Sequence, residues 1–344
     1  MSDFAVFDGH NDLLSCLMSA GDATGDSFIT GRDGDIDLAK CRAGGMAGGF
    51  FAVWPTADAA GRPDPKATYR AFDAIDTGRA ARETAAQIAI LHRLTRAHPA
   101  AIRLCLTAAD ITQARAAGAI AALLHIEGAE GIGPALDELH LYHAAGLRSL
   151  GPVWSRPNIF GHGVPFNHPA VPDTGPGLTD AGRRLIAECN ALGILIDLSH
   201  LNEAGFWDVA RLSDKPLVAT HSNAHALCPA TRNLTDRQLD AIAATGGVVG
   251  LNFGVGFLRP DGVKDPTTDP AVMIAHLDHL MSRLGEDGVA LGSDFDGTTI
   301  PDTIGSAAGL PRLIAAMEQA GYGADLIAKL CWGNWINILS RTIG

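Results

Sequence analysis

The sequence predicts an α/β fold: a (β/α)8 TIM barrel in one domain over residues 1–344, with loop and helical insertions at its C-terminal mouth. Three observations lead there. Short apolar runs recur along the chain, segments of helical period separate them, and side chains of metal-ligand type sit just beyond several of the runs.

The runs are 4–8, 49–54, 120–126, 147–153, 194–198, 217–220, 248–252 and 289–292, eight in all. Their nearly unbroken hydrophobicity suits parallel strands covered on both faces. Between them, 179–193 opens on Thr179, a capping residue, and closes on Gly193. The segment 235–245 repeats that form with Gly246 beyond, and 270–284 and 311–320 each start on a proline, whose missing N–H costs little in a first turn. Alternation of this kind implies right-handed βαβ units, and eight of them favour closure into a barrel over an open sheet. No GxGxxG or P-loop follows a run, which tells against a nucleotide-binding sheet. The Pro- and Gly-rich stretches 56–66 and 156–177 read as long loops at the mouth.

Composition sets the outer limits. A chain of 344 residues with 47% hydrophobic and 19% charged residues can bury a large core, and its 40 glycines signal many tight turns. A formal net charge of -12 excludes a nucleic-acid partner, which would need a basic face, and disfavours an anionic membrane surface. The N-terminal MSDFAVFDGHND lacks the basic and apolar regions of a signal peptide, and no apolar run approaches the ~20 residues of a membrane span. The cytoplasm is therefore the expected location, and a homo-oligomer is compatible with everything above. Cys16, Cys41, Cys105, Cys189, Cys228 and Cys331 form no CxxC pair and read as reduced, mostly buried thiols.

The chemistry is concentrated at the run ends. His10 and Asp12 follow the first run, Glu127 the run 120–126, His200 the run 194–198, His221 the run 217–220, and Asp294 the run 289–292. In a barrel these ends converge on one rim, so three imidazoles and three carboxylates there form a chelating cluster with room for two divalent ions. His10 and Asp12 are two residues apart, which in extended chain aims both side chains the same way. Two close cations need a bridging anion. No lysine follows these ends, so Glu127 is the expected bridge rather than a modified lysine. The donor set suits zinc first, then manganese, iron or cobalt. Lone histidines in helical segments (His92, His98, His140, His143 and His276) are set aside as structural, and so, with less weight, is His125 in its strand.

These segments resemble the renal (membrane) dipeptidase family of binuclear zinc peptidases, a branch of the amidohydrolase-type barrels. The similarity runs from DGHNDL at 8–13 to the Gly-Asn-Trp at 333–335, and includes the Glu127 turn, GLTDAG, DLSH, THSN, Arg232 and Asn233 in TRNLTD, and GSDFDG. The resemblance implies one metal on His10 and Asp12, a second on His200 and His221, and Glu127 between them. It implies Asp294 as the acid–base group and Arg232 as partner of the substrate's C-terminal carboxylate. The expected reaction is attack of a metal-bridging hydroxide on the peptide bond of a dipeptide, one with a C-terminal D-residue included. Two positions depart from the family. Trp154 stands where a histidine contacts the substrate carbonyl, with His162 in the next loop as a replacement. Phe257 stands where a tyrosine assists carboxylate binding, although Asn252 and Phe253 are retained nearby. These departures keep an alternative open: an amidase or lactamase acting on non-peptide amides with the same metals.

Overall fold

The structure, a computed structural model, describes residues 4–56 and 72–344. It is a mixed α/β fold around a curled parallel sheet. The strands are β1 (Val6–Asn11), β2 (Met46–Val53), β3 (Ile102–Leu104), β4 (Ile120–Glu127), β5 (Leu147–Gly151), β6 (Leu195–Ile196), β7 (Val218–Ala219), β8 (Val248–Leu251) and β9 (Val289–Leu291). One sheet runs β1-β2-β4-β5-β6 with β3 on β4, the other runs β7-β8-β9, and every pairing is parallel. Isolated parallel bridges join Asp197 to Val218 and Asn11 to Phe295, one at each gap between the sheets.

All the expected runs carry a strand, and three of them reach further than their apolar stretch, β2 by starting at Met46 rather than 49. Expected over 4–8, β1 extends to Asn11, because that residue pairs with Phe51 and its side-chain amide donates to the Phe50 carbonyl at 3.0 Å. β4 extends to Glu127, paired with Gly151. His10 and Glu127 thus lie within strands, not beyond them. β3 is unanticipated: it is an Ile-Arg-Leu triplet that pairs only with the first residues of β4.

Alternation along the strands sorts two cores. In β4, Ala121 and Leu123 point to one side and Ala122, Leu124 and Ile126 to the other, and the two sets fall in different hydrophobic clusters. The smaller cluster joins Phe7, Phe50, Leu123, Leu195, Val218, Val248 and Ala290 with Trp335 and Ile338 of the C-terminal helix Asn334–Thr342. Trp335 is fully buried there and donates its indole N–H to the Leu291 carbonyl at 2.8 Å. The larger cluster packs the outer strand faces under the helices.

Helix ends follow their caps. Thr179 accepts the Gly182 N–H at 3.0 Å to start Asp180–Leu192, and Gly193 ends it at φ 68°. Thr235 and Gln238 form a capping box before Asp236–Ala244. Pro311 lies in the first turn of Leu310–Gln319, whereas Pro270 caps Ala271–Leu284 from just outside. One close approach depends on glycine. A Cβ on Gly9, Gly250 or Gly292 would collide with the Thr220 carbonyl oxygen, so β1, β8 and the residue just past β9 meet that oxygen only because these positions carry no side chain. No disulfide joins any of the six cysteines, and five of them are buried. The loop expected over 56–66 lies outside the described residues apart from Thr56, and 156–177 holds no helix or multi-residue strand.

Candidate metal centre

Period-two alternation sends Glu127 to the same face of β4 as Leu123, at the strand's C-terminal end, and β1 brings His10 beside it. His200 and His221 come from the chain beyond β6 and β7, and Asp294 from the chain beyond β9. His200 and Asp294 sit at φ 69° and 61°, a left-handed backbone that costs non-glycine residues on the order of 1 kcal/mol or more. Hydrogen bonds hold both turns. The His200 carbonyl accepts the Val164 N–H at 2.8 Å, and the Asp294 N–H donates to the His10 carbonyl at 3.0 Å.

The six side chains converge. Glu127 Oε1 lies 2.8 Å from His200 Nε2, 3.2 Å from His221 Nε2 and 3.6 Å from His10 Nε2. His10 Nε2 is 3.7 Å from Asp12 Oδ2. Three triads have ligand atoms within 4.8 Å of one another: His10, Asp12 and Glu127; Glu127, His200 and His221; and His10, His221 and Asp294. His125 is outside all three. Its Nδ1 meets Ser149 Oγ at 2.9 Å and its Nε2 is 3.6 Å from Asp197, although its ring is only 5.6 Å from that of His10. The helical histidines also stay outside; His276, for example, is buried between the Ala224 N–H and the Leu258 carbonyl.

Electrostatics suit positive charge at this spot. Burial pushes Glu127 up to about 8, with Asp12 and Asp294 adding to the rise against the pull of His10. Burial likewise raises Asp294 to about 6. Burial alone would lower His10, but Glu127, Asp12 and Asp294 outweigh it and raise it to about 10. His200 and His221 fall well below the usual imidazole range, through burial first and then the positive charge of Arg232 and His10. Carboxylates packed together without water hold protons they would release beside a cation. Both ring nitrogens of His10 and Oδ1 of Asp12 are buried without a hydrogen-bond partner among the described residues. Orphaned lone pairs, imidazoles and carboxylates together fit divalent ions of the zinc type.

Around the cluster, Asn252 donates its amide to Asp294 Oδ2 at 2.9 Å. Arg232 is buried; Nη1 donates to Ser222 Oγ and Nη2 to the His221 carbonyl, both at 2.9 Å, while Nε has no partner among the described residues. Trp154 is brought to the site, its ring 5.8 Å from that of His200, in a chain of aromatic contacts that runs through Phe166 to Phe257. Among the described residues no hydrogen bond, ion pair or ring contact joins the His162 side chain to the cluster, and the His162 carbonyl accepts the Asn202 N–H. Sequence reasoning missed Ser155, whose hydroxyl lies 2.7 Å from His200 Nδ1, and Phe166, 6.1 Å from the same ring. Both are in aperiodic loop, where no pattern singles them out.

Comparison with known proteins places this arrangement in the metallopeptidase class of hydrolases. Two solved structures superimpose with a TM-score of 0.95 at 50% identity. One is a metallopeptidase described as dipeptidase AC, covering 100% of both chains; the other is a metallopeptidase from Rhodobacter sphaeroides liganded with a phosphinate mimic of the dipeptide L-Ala-D-Ala, covering 99% of this chain and 100% of that one. A Klebsiella pneumoniae protein described as uncharacterized, in the pqqA 5' region, is 53% identical over 255 residues, 74% of this chain and 94% of its own. The chain belongs to the membrane dipeptidase family, peptidase family M19, which matches residues 1–343. Membership implies divalent metal ions. No helix among the described residues is long and apolar enough to cross a membrane.

Proposed function

We propose that the protein is a cytoplasmic binuclear metallo-dipeptidase on a single closed (β/α)8 barrel. The two isolated bridges support closure, since each spans one gap between the sheets. The observation that carries the functional reading is the position of Glu127, which belongs both to the triad with His10 and Asp12 and to the triad with His200 and His221. His10 and Asp12 would hold one ion, His200 and His221 the other, with Glu127 shared. Two divalent cations, zinc first, supply Lewis acidity and a water of lowered pKa.

The remaining work falls to the chain's own groups. Asn252 occupies Oδ2 of Asp294, which leaves Oδ1 to take a proton from the attacking water and return it to the leaving amine. Arg232 has five N–H donors, of which two are committed, so others remain for a C-terminal carboxylate. Binding of the L-Ala-D-Ala mimic by the Rhodobacter relative supports dipeptides with a C-terminal D-residue as substrates. Trp154 beside His200, where an imidazole is expected, favours a second reading: hydrolysis of non-peptide amides or lactams.

Elemental analysis is expected to find about two transition-metal ions per chain, most of them lost in Glu127→Ala. A panel of L,L- and L,D-dipeptides, N-acyl amino acids and lactams should show cleavage concentrated on dipeptides. A metal-free, fully active protein would end the metal reading, and a preference for N-acyl or lactam substrates would replace dipeptidase by amidase.

A further inference from the structure

Behind the ligand-type side chains, a chain of hydrogen bonds dictates how His221 meets them. Asp197, just past β6, accepts the Ser199 N–H at 3.0 Å and the Thr220 N–H at 2.8 Å on Oδ1. On Oδ2 it accepts the Thr220 hydroxyl at 2.6 Å. Asp197 thus accepts three hydrogen bonds, that of the Thr220 hydroxyl among them. Thr220 has one hydroxyl proton, and it is committed to Asp197. Its oxygen lies 2.8 Å from His221 Nδ1, so the ring nitrogen must be the donor there. With the proton on Nδ1, the lone pair of a neutral ring sits on Nε2, the atom 3.2 Å from both Glu127 Oε1 and His200 Nε2.

His200 is wired differently. Its Nδ1 meets a single hydroxyl, that of Ser155, which can turn either way. His10 Nδ1 has no hydrogen-bond partner among the described residues. Of the three imidazoles, His221 alone has its tautomer imposed from behind.

We propose that Asp197 and Thr220 are positioning residues: a carboxylate–hydroxyl relay that locks His221 as the Nδ1–H tautomer and so presents Nε2 to a divalent cation. The proposal rests on the metal-centre reading above. The relay also ties the ends of β6 and β7, which Asp197 and Val218 already bridge and the Leu198 N–H to the Val218 carbonyl joins at 2.8 Å. Its test must therefore separate tautomer control from a purely structural tie.

Two readouts do so. The first is the tautomer of His221, read from the ring-nitrogen shifts of metal-free protein labelled with 15N-histidine. The second is zinc affinity, measured by competition with a chromophoric chelator. The parent is expected to show the Nδ1–H form before any metal is added. Thr220→Val keeps the shape and the backbone N–H to Asp197 but removes the hydroxyl. It should give a mixture of tautomers and bind zinc about 10–100-fold more weakly. Thr220→Ser should restore both. An Nε2–H ring in the metal-free parent would overturn the proposal without any variant. So would a Thr220→Val protein that melts lower yet keeps the parent's tautomer and zinc affinity, because that is the behaviour of a structural tie alone. Should the parent bind no metal, the metal-centre reading fails, while the tautomer measurement still decides whether the relay exists.

Discussion

Replacing Asp294 by Asn isolates proton transfer with little disturbance of the fold. The residue sits at φ 61°, where Asn is among the best tolerated side chains after glycine. Its backbone bonds, N–H to the His10 carbonyl and C=O from the Gly297 N–H, both at 3.0 Å, do not involve the side chain. The new amide can turn its oxygen toward Asn252, keeping the bond now made to Oδ2 at 2.9 Å. That leaves an NH2 group where Oδ1 stood, and an amide nitrogen cannot accept a proton. The expected loss in kcat is 10²- to 10⁴-fold, about 3–5 kcal/mol of transition-state stabilisation, with KM and metal content near those of the parent. Burial raises Asp294 to about 6 in the metal-free chain, and neighbouring cations would pull it lower. The base form is needed, so the parent's kcat/KM should climb with pH along an acidic limb below about pH 6, and the variant should lack that limb. Steady-state kinetics on one dipeptide from pH 4 to 9, with metal content measured in parallel, is the assay. A variant with full metal content and kcat within tenfold of the parent would refute the assignment.

Arg232→Met should slow a free dipeptide by at least ~10²-fold while leaving its C-terminal amide little changed, and the parent should prefer the acid by a similar factor. Equal kcat/KM for acid and amide in the parent would remove the carboxylate role. Burial raises Asp8 to about 7 from an ordinary 3.8, so the folded metal-free chain increasingly disfavours the ionised form as pH rises from about 4 to 7. Asp8→Asn should therefore gain relative stability across that window, by up to a few kcal/mol above pH 7, as read by urea unfolding of chelated protein at pH 4.5 and 8. A difference independent of pH would count against the shift. Trp335→Ala removes the largest fully buried side chain among the described residues and its bond to Leu291, and should cost about 3–5 kcal/mol by the same unfolding assay, against under ~0.5 kcal/mol for a surface control such as Leu141→Gln.

What the sequence made legible follows from how each signal is encoded. Runs such as 120–126 and 248–252 announce strands because both faces of a parallel sheet are covered, so nearly every position is apolar, His125 and Asn252 excepted. The same rule hides the ends of β1 and β4. His10, Asn11 and Glu127 are polar yet remain in the ladder, since the site is built on strand termini and polarity there reflects chemistry. β3 escapes because three residues with an arginine in the middle show no run at all. The cluster was legible because six ligand-type residues at five different strand ends make a pattern that no single histidine could. Ser155 and Phe166 reach His200 through the path of a loop, and only three-dimensional structure records that path. Asp197 and Thr220 stood in plain view, but as edges of apolar runs they gave no sign of the hydrogen bonds that join them.

The carbonyl of Thr220, crowded by Gly9, Gly250 and Gly292, divides the molecule into a part that can vary and a part that cannot. Just beneath the reacting groups main chain meets main chain, with the Trp335 indole packed against Gly9 and Gly250, so there is no room to add a side chain at these positions. Adaptation to new substrates is thereby confined to the rim, where Trp154 and Phe166 come from a loop that can change length and composition freely and Phe257 from the short helix Val255–Leu258. A lineage diverging from this scaffold would keep its floor unaltered while its walls were rebuilt. Directed-evolution libraries placed at the rim should yield altered specificity far more often than libraries placed in the strands.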